Sequence, residues 1–217
     1  YRDSILTITG NSFLDLNWYY NDHLYLNESF NAQISLNKYR NYHRSVKIRS
    51  SPNVNISQDS ILEHRYSCGV EINESSRNIS ITDNYFQHSK DHGSNFMEIY
   101  GSPDSIYIKR NVVVSDNSVL NGDYEIYYDC NYPTLMEIDS NYFNSRNKGF
   151  RIRNYNNTAN IKIRHNTLDT VGEYGMDLIE IGDTLAVIGN VINKVNGGDG
   201  IKFSGNSSKI NISKNKV

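Results

Sequence analysis

The sequence predicts an all-β chain wound as a parallel β-helix solenoid of about eight to nine coils of ~25 residues. Three observations carry that expectation. Seven segments repeat the pattern apolar-x-apolar-x-x-Asn-x-apolar: Leu6/Ile8/Asn11/Phe13, Ile79/Ile81/Asn84/Phe86, Ile106/Ile108/Asn111/Val113, Met136/Ile138/Asn141/Phe143, Ile161/Ile163/Asn166/Leu168, Leu185/Val187/Asn190/Ile192 and Ile210/Ile212/Asn215/Val217. From Asp59 onward the Asn positions fall 25, 27, 30, 25, 24 and 25 residues apart, and a period of that size marks a stacked repeat. No stretch carries helical periodicity, whereas the alternation of two that a half-buried strand requires recurs throughout.

Taken in order, the chain enters in mid-repeat at Tyr1 and runs through a rougher, aromatic stretch with Trp18, Tyr19, Tyr20 and Tyr25. Leu24/Leu26 and Val46/Ile48 are its best strand candidates, and Ile34/Leu36/Tyr39/Asn41 reads as a degenerate repeat. Val54/Ile56/Asp59/Ile61 keeps the pattern with Asp in the Asn place. From Gly69 a second strand becomes regular: Val70/Ile72, Met97/Ile99, Tyr124/Ile126, Phe150/Ile152, Met176/Leu178 and Ile201/Phe203. Gly69, Gly149, Gly175 and Gly200 precede it, as expected where backbone turns sharply. The turn after this strand holds Pro52, Pro103 and Pro133, outside the hydrogen-bonded ladder. The turn after the Asn strand varies in length at 87–93, 114–123 and 193–200, where insertions and function collect. Gly197-Gly198-Asp199-Gly200 has no following helix and reads as a turn, not a phosphate loop.

The Asn at a fixed place predicts amides that hydrogen-bond from coil to coil. Residues 1–217 form a single elongated body, expected to be part of a longer chain because apolar core would be bare at both ends. A net charge of -2 offers nothing to nucleic acid or an anionic membrane surface, and no apolar run is long enough to span a bilayer. Cys68 and Cys130 lie two repeats apart, too far for a disulfide. Seven Asn-x-Ser/Thr sequons, at Asn27, Asn55, Asn73, Asn78, Asn156, Asn206 and Asn211, do not decide the compartment, since composition alone yields many.

These Ile-x-Ile-x-x-Asn-x-Phe repeats resemble those of right-handed parallel β-helix proteins of the pectate-lyase-like superfamily, over nearly the whole chain. That resemblance implies a right-handed coil, an acidic polysaccharide as partner and a place outside the cell or at its surface. Trimeric phage tailspikes belong to the same group, so an oligomer is permitted.

The outward position at the centre of the second strand reads Lys47, Glu71, Glu98, Glu125, Arg151, Asp177 and Lys202. Coils stacked about 4.8 Å apart would line up Glu71, Glu98 and Glu125, and Ca2+ would relieve their repulsion. The resemblance implies a polysaccharide lyase in which Glu71, Glu98 and Glu125 hold metal or substrate carboxylate. Arg151 is then base or clamp, with Lys202 or Arg153 in support. Lys47, Asp177, Tyr127, His88 and His92 would line the substrate path. A glycosidase would use neighbouring or alternate carboxylates of the same column, but polygalacturonase signatures are missing. The column equally describes a solvated face of cross-strand pairs, as on a non-catalytic β-helix that binds polysaccharide or serves as a structural, surface or phage receptor-binding segment. His88 and His92 flank Lys90 and Asp91 in a rim loop, with Glu63-His64-Arg65 one coil earlier; acid/base, metal-binding and plain surface roles all fit. Tyr85, Tyr107, Tyr127, Tyr142 and Tyr155 are expected to point outward, where rings stack on sugars or cap the sheet.

Overall fold

The computed structural model describes residues 5–14, 22–40, 44–64, 67–88, 95–115, 124–130, 135–144, 148–154 and 159–217, with the backbone alone for Glu63 and His64. Their strands form three all-parallel sheets, of nine, eight and eight strands. Sheet A takes the Ile-x-Ile segments, for example Ile79–Thr82. Sheet B takes the short runs after each Asn, for example Tyr85–His88, and sheet C takes the second strands, for example Cys68–Asn73. The path A, B, C repeats coil by coil, and no described residue is helical. Leu24–Asn27 and Val46–Arg49 open sheet C as expected. Pro52 and Pro103 lie in the turns from sheet C to sheet A; Pro133 is outside the described residues.

What the sequence shows as one unbroken repeat is two strands of different sheets, because the chain bends sharply just before each Asn. The residue there has positive φ in coil after coil: Leu36, Gln58, Asp83, Arg110, Ser140, His165 and Lys214, with Gly10 and Gly189 in two further coils. Such a backbone costs a non-glycine residue about 1–2 kcal/mol. A ladder of side-chain amides at the next position offsets the cost. Asn84 shows its chemistry: its backbone N–H and its Nδ2 both donate to Asn111 Oδ1 at 3.0 Å, and Nδ2 also donates to the Ile56 carbonyl. Asn111, Asn141, Asn166 and Asn190 repeat these bonds toward the next coil. The predicted stacking of amides is therefore present, and it satisfies buried groups that a corner otherwise leaves bare.

Two expectations change. The degenerate repeat is regular when shifted: Ala32/Ile34/Asn37/Tyr39, with Ala32, Ile34 and Tyr39 fully buried and Asn37 in the ladder. Leu36, read as core, is the 61% exposed residue at the bend. The glycines before the second strand also act differently. None has positive φ; each sits where sheets B and C converge, with no room for a Cβ. At Gly149 a Cβ would lie 2.0 Å from the Gly175 carbonyl oxygen and 2.7 Å from Leu168 Cδ2. At Gly69 it would meet the Phe86 ring at 2.7 Å.

The bore is a single apolar column. Ile, Val, Leu, Met and Phe from all three sheets pack in one cluster, joined by buried Tyr39 and Tyr128. Cys68 and Cys130 are buried and free, as their separation implies.

Candidate functional site

The outer face of sheet C is where the residues singled out above meet. In each strand two apolar side chains face the bore and the residue between them faces out, which makes a column of in-register neighbours. Its order is Tyr25, Lys47, Glu71, Glu98, Tyr127, Arg151, Asp177 and Lys202. Glu125 is not in it. The core pair of its strand is Ile126 and Tyr128, both fully buried, so Tyr127 takes the outward place expected for Glu125. The alternation Tyr124-x-Ile126-x-Tyr128 admits either register, and a tyrosine reads more readily as the outer residue. Aligning the strand on Gly69, Gly149, Gly175 and Gly200 resolves it: Phe96 and Glu125 fall in the glycine column and point inward. Glu125 is 0% exposed and its Oε2 lies 2.9 Å from Nε2 of His88, which is itself buried. The expected row of three acids is thus a row of two, and His88 joins the interior instead of the rim. His92 lies outside the described residues.

The first half of the column is an interlocked charge network. Glu71 is 5% exposed, and burying a bare carboxylate costs several kcal/mol. Arg44 Nη1 donates to its Oε2, Lys47 Nζ lies 3.2 Å from Oε1, and Asn73 Nδ2 donates to Oε1. Asp22 holds the far side of Arg44 at 2.6 Å. Glu98, in register with Glu71, accepts from Asn95 Nδ2 at 2.6 Å and from the Tyr100 hydroxyl at 3.1 Å. Cations and amides thus surround both carboxylates. Cys68 Sγ and oxygens of Glu71 and Glu98 lie within 4.8 Å of one another. Burial first, then the Glu98 and Glu71 carboxylates, push the Cys68 thiol well above its ordinary value, so it stays protonated.

The second half is built around cations that lie against rings. Arg151 stands between Tyr127 and Asp177 in register, with its guanidinium carbon 5.5 Å from the Tyr124 ring and 6.0 Å from the Tyr127 ring. It enters no ion pair among the described residues, and its buried Nε has no hydrogen-bond partner. Lys202 Nζ rests 4.9 Å from the Tyr174 ring; Lys148 Nζ, bonded to Glu173 at 2.8 Å, lies over Tyr124 and Tyr174. Asp177 is 4% exposed between Arg151 and Lys202: its Oδ2 is 3.5 Å from the Tyr124 hydroxyl, and its Oδ1 has no partner. Tyr127 donates to Asp129 and packs 5.8 Å from Tyr100. Arg153 faces Glu180 at 3.8 Å, on the neighbouring row. Burial first, and Glu98 next, push the Tyr100 hydroxyl up; burial does the same to Tyr124 despite nearby Arg151. Both remain neutral phenols able to donate.

The outward tyrosines do not form one stripe. Tyr107 is on sheet A, Tyr85 and Tyr142 are on sheet B, and Tyr127 alone is on sheet C; Tyr155 is outside the described residues. The rings beside Arg151 are Tyr124 and Tyr127, with Tyr100 packed on Tyr127 and Tyr174 under Lys148 and Lys202, and of these Tyr100, Tyr124 and Tyr174 carried no distinguishing signal in the sequence. No family model, curated protein or solved structure matches this chain.

Proposed function

We propose that this protein is a polysaccharide-binding β-helix of the pectate-lyase-like kind, and that the Tyr127–Arg151–Asp177–Lys202 half of sheet C grips an acidic sugar chain. The observation that carries this reading is the combination at Arg151: a half-buried cation with no ion-pair partner among the described residues and tyrosine rings on its flank. Guanidinium groups bind carboxylates in a planar fork, and aromatic faces stack on sugar rings. Coil spacing near 4.8 Å repeats these groups along a direction that an extended glycan can follow. Such a protein meets its polymer outside the cell or at its surface.

A lyase reading has one specific observation in its favour, the same Arg151, placed as a base beside the phenols of Tyr124 and Tyr127. There Glu98, with or without Ca2+, would meet the sugar carboxylate two coils away. Binding ranks first because Glu71 is already neutralised and Glu125 is turned inward, which removes two of the three acids that the lyase constellation uses.

The test is affinity electrophoresis through alginate, pectate, chondroitin or heparan, with a neutral glucan as control, at low and high salt. Retardation by an acidic polymer that salt weakens, reduced about tenfold or more by Arg151→Ala, is the expected result. Equal mobility on every polymer would overturn the reading. The ultraviolet absorbance of unsaturated uronates, followed in the same mixtures with and without Ca2+, separates a lyase from a binder.

A further inference from the structure

One rung of the amide ladder is a carboxylate. Asp59 is 1% exposed, and its Oδ1 accepts the backbone N–H of Asn37 at 2.7 Å and Asn37 Nδ2 at 3.2 Å. Its own N–H donates to Asn84 Oδ1 at 2.9 Å. To this point it copies an asparagine. The difference lies at Oδ2, which is buried and has no hydrogen-bond partner. In the flanking rungs the corresponding atom is a donor: Asn37 Nδ2 reaches the Ile8 carbonyl, and Asn84 Nδ2 reaches the Ile56 carbonyl and the next Oδ1. By the same register, Asp59 Oδ2 stands where a donor would serve the Ile34 carbonyl and Asn84 Oδ1. Both of those are acceptors. The side-chain amide hydrogens of an asparagine are thus missing from a dry corner, and a proton on Oδ2 supplies that bond; the Tyr39 hydroxyl, itself without a partner, is the other donor that faces the carboxylate.

We infer that Asp59 is a proton-operated joint: protonated, it closes the ladder across its coil, and ionised, it loosens the seam that fastens residues 24–40 to the coils beyond. The surroundings suit that role. Tyr39 on the preceding coil is the titratable side chain beside it, and burial first, then the Asp59 carboxylate, push that phenol up. Of the charged groups on the flanking corners, Lys38 is exposed, and Asp83 is exposed and held by Arg110 at 2.7 Å. Burial raises the Asp59 carboxyl from 3.8 to about 6, and the bonds from Asn37 and then from the Tyr39 hydroxyl oppose this only in part.

The direction of the linkage follows. The folded state holds its proton to a higher pH than the unfolded chain does, so the bond is fully present below the ordinary aspartate range. It is lost as pH rises through about 6. Asp59→Asn, which carries its own Nδ2 donor, removes this dependence.

The experiment compares thermal unfolding of the natural protein and Asp59→Asn below pH about 5 and above pH about 7. The expected outcome is similar Tm at the acid end and, at the upper end, an Asn variant higher by about 3 °C or more. A difference independent of pH, or an Asn variant less stable at the upper end, would overturn the joint. Carbon NMR titration of the Asp59 carboxyl in the natural protein is the second measurement, independent of whether the variant folds. A midpoint near 6 supports the proposal, and one near 4 refutes it.

Discussion

The two halves of the sheet C column are built from the same kinds of residue and do opposite things with them. Around Glu71 the cations Arg44 and Lys47 close on a buried carboxylate, and Asn73 takes a remaining lone pair. Around Arg151 the cation meets rings, and the nearest in-register carboxylate, Asp177, keeps an oxygen without a partner. Charge in the first half is spent inside the molecule. In the second half the Arg151 cation has no ion-pair partner among the described residues. Composition alone cannot tell such faces apart; partner geometry can.

The comparison breaks most visibly at Glu71. Glu71→Ala leaves Arg44 and Lys47 half-buried without their anion, and we expect a loss of about 3–5 kcal/mol in urea unfolding with polymer retention intact in the folded fraction. Gly149→Ala tests the wall beneath the second half: the new Cβ would press on the Gly175 carbonyl, and overpacking of that kind costs about 1–3 kcal/mol. Stability of Gly149→Ala equal to that of the natural protein would mean that the corner is looser than described. Arg151→Ala should change unfolding by less than about 1 kcal/mol while abolishing retention. If both halves responded alike, the distinction between them would fall.

The smallest effect lies on sheet A. Glu137 bonds Lys109 at 2.7 Å and Lys162 at 3.3 Å, and those bonds hold its carboxyl below the ordinary range. Its contribution is present above the unfolded-state value and fades as pH falls below it, the reverse of Asp59. Glu137→Gln should therefore flatten the acid limb of the stability curve by less than about 1 kcal/mol, since the pairs are partly solvated. A natural protein and variant that diverge at neutral to alkaline pH and converge in acid, by a much larger amount, would point to a buried network instead.

Much of the fold was legible because its determinants are local and periodic. Ile79, Ile81, Asn84 and Phe86 each do the same task in every coil, so repetition averages out ambiguity. The site was less legible, for two reasons. Whether Tyr124 or Tyr128 lines the bore is decided by a single register step, and that step moves Glu125 from the outer face to a buried contact with His88. Whether Glu71 and Arg151 meet an opposite charge or a ring depends on Arg44 and Tyr124, which come from adjacent coils and lie two residues before the core pair. No strict repeat marks them. The glycine column was visible throughout but reads as turn chemistry, although its cause is the closeness of the next coil's backbone and of sheet B side chains.

The amide ladder also gives the molecule a direction. From Asn84 to Asn190 each rung holds out two hydrogens toward its C-terminal neighbour, and from Asn111 onward each receives two from the rung before. A coil laid down in order of synthesis thus finds a primed pair of donors waiting, and offers one oxygen to both. Assembly in the opposite sense meets an oxygen that accepts but cannot call for a particular partner. The corner is in this sense a one-way zip, and Asp59 is the single tooth, among the described corners, whose grip depends on the solvent's acidity.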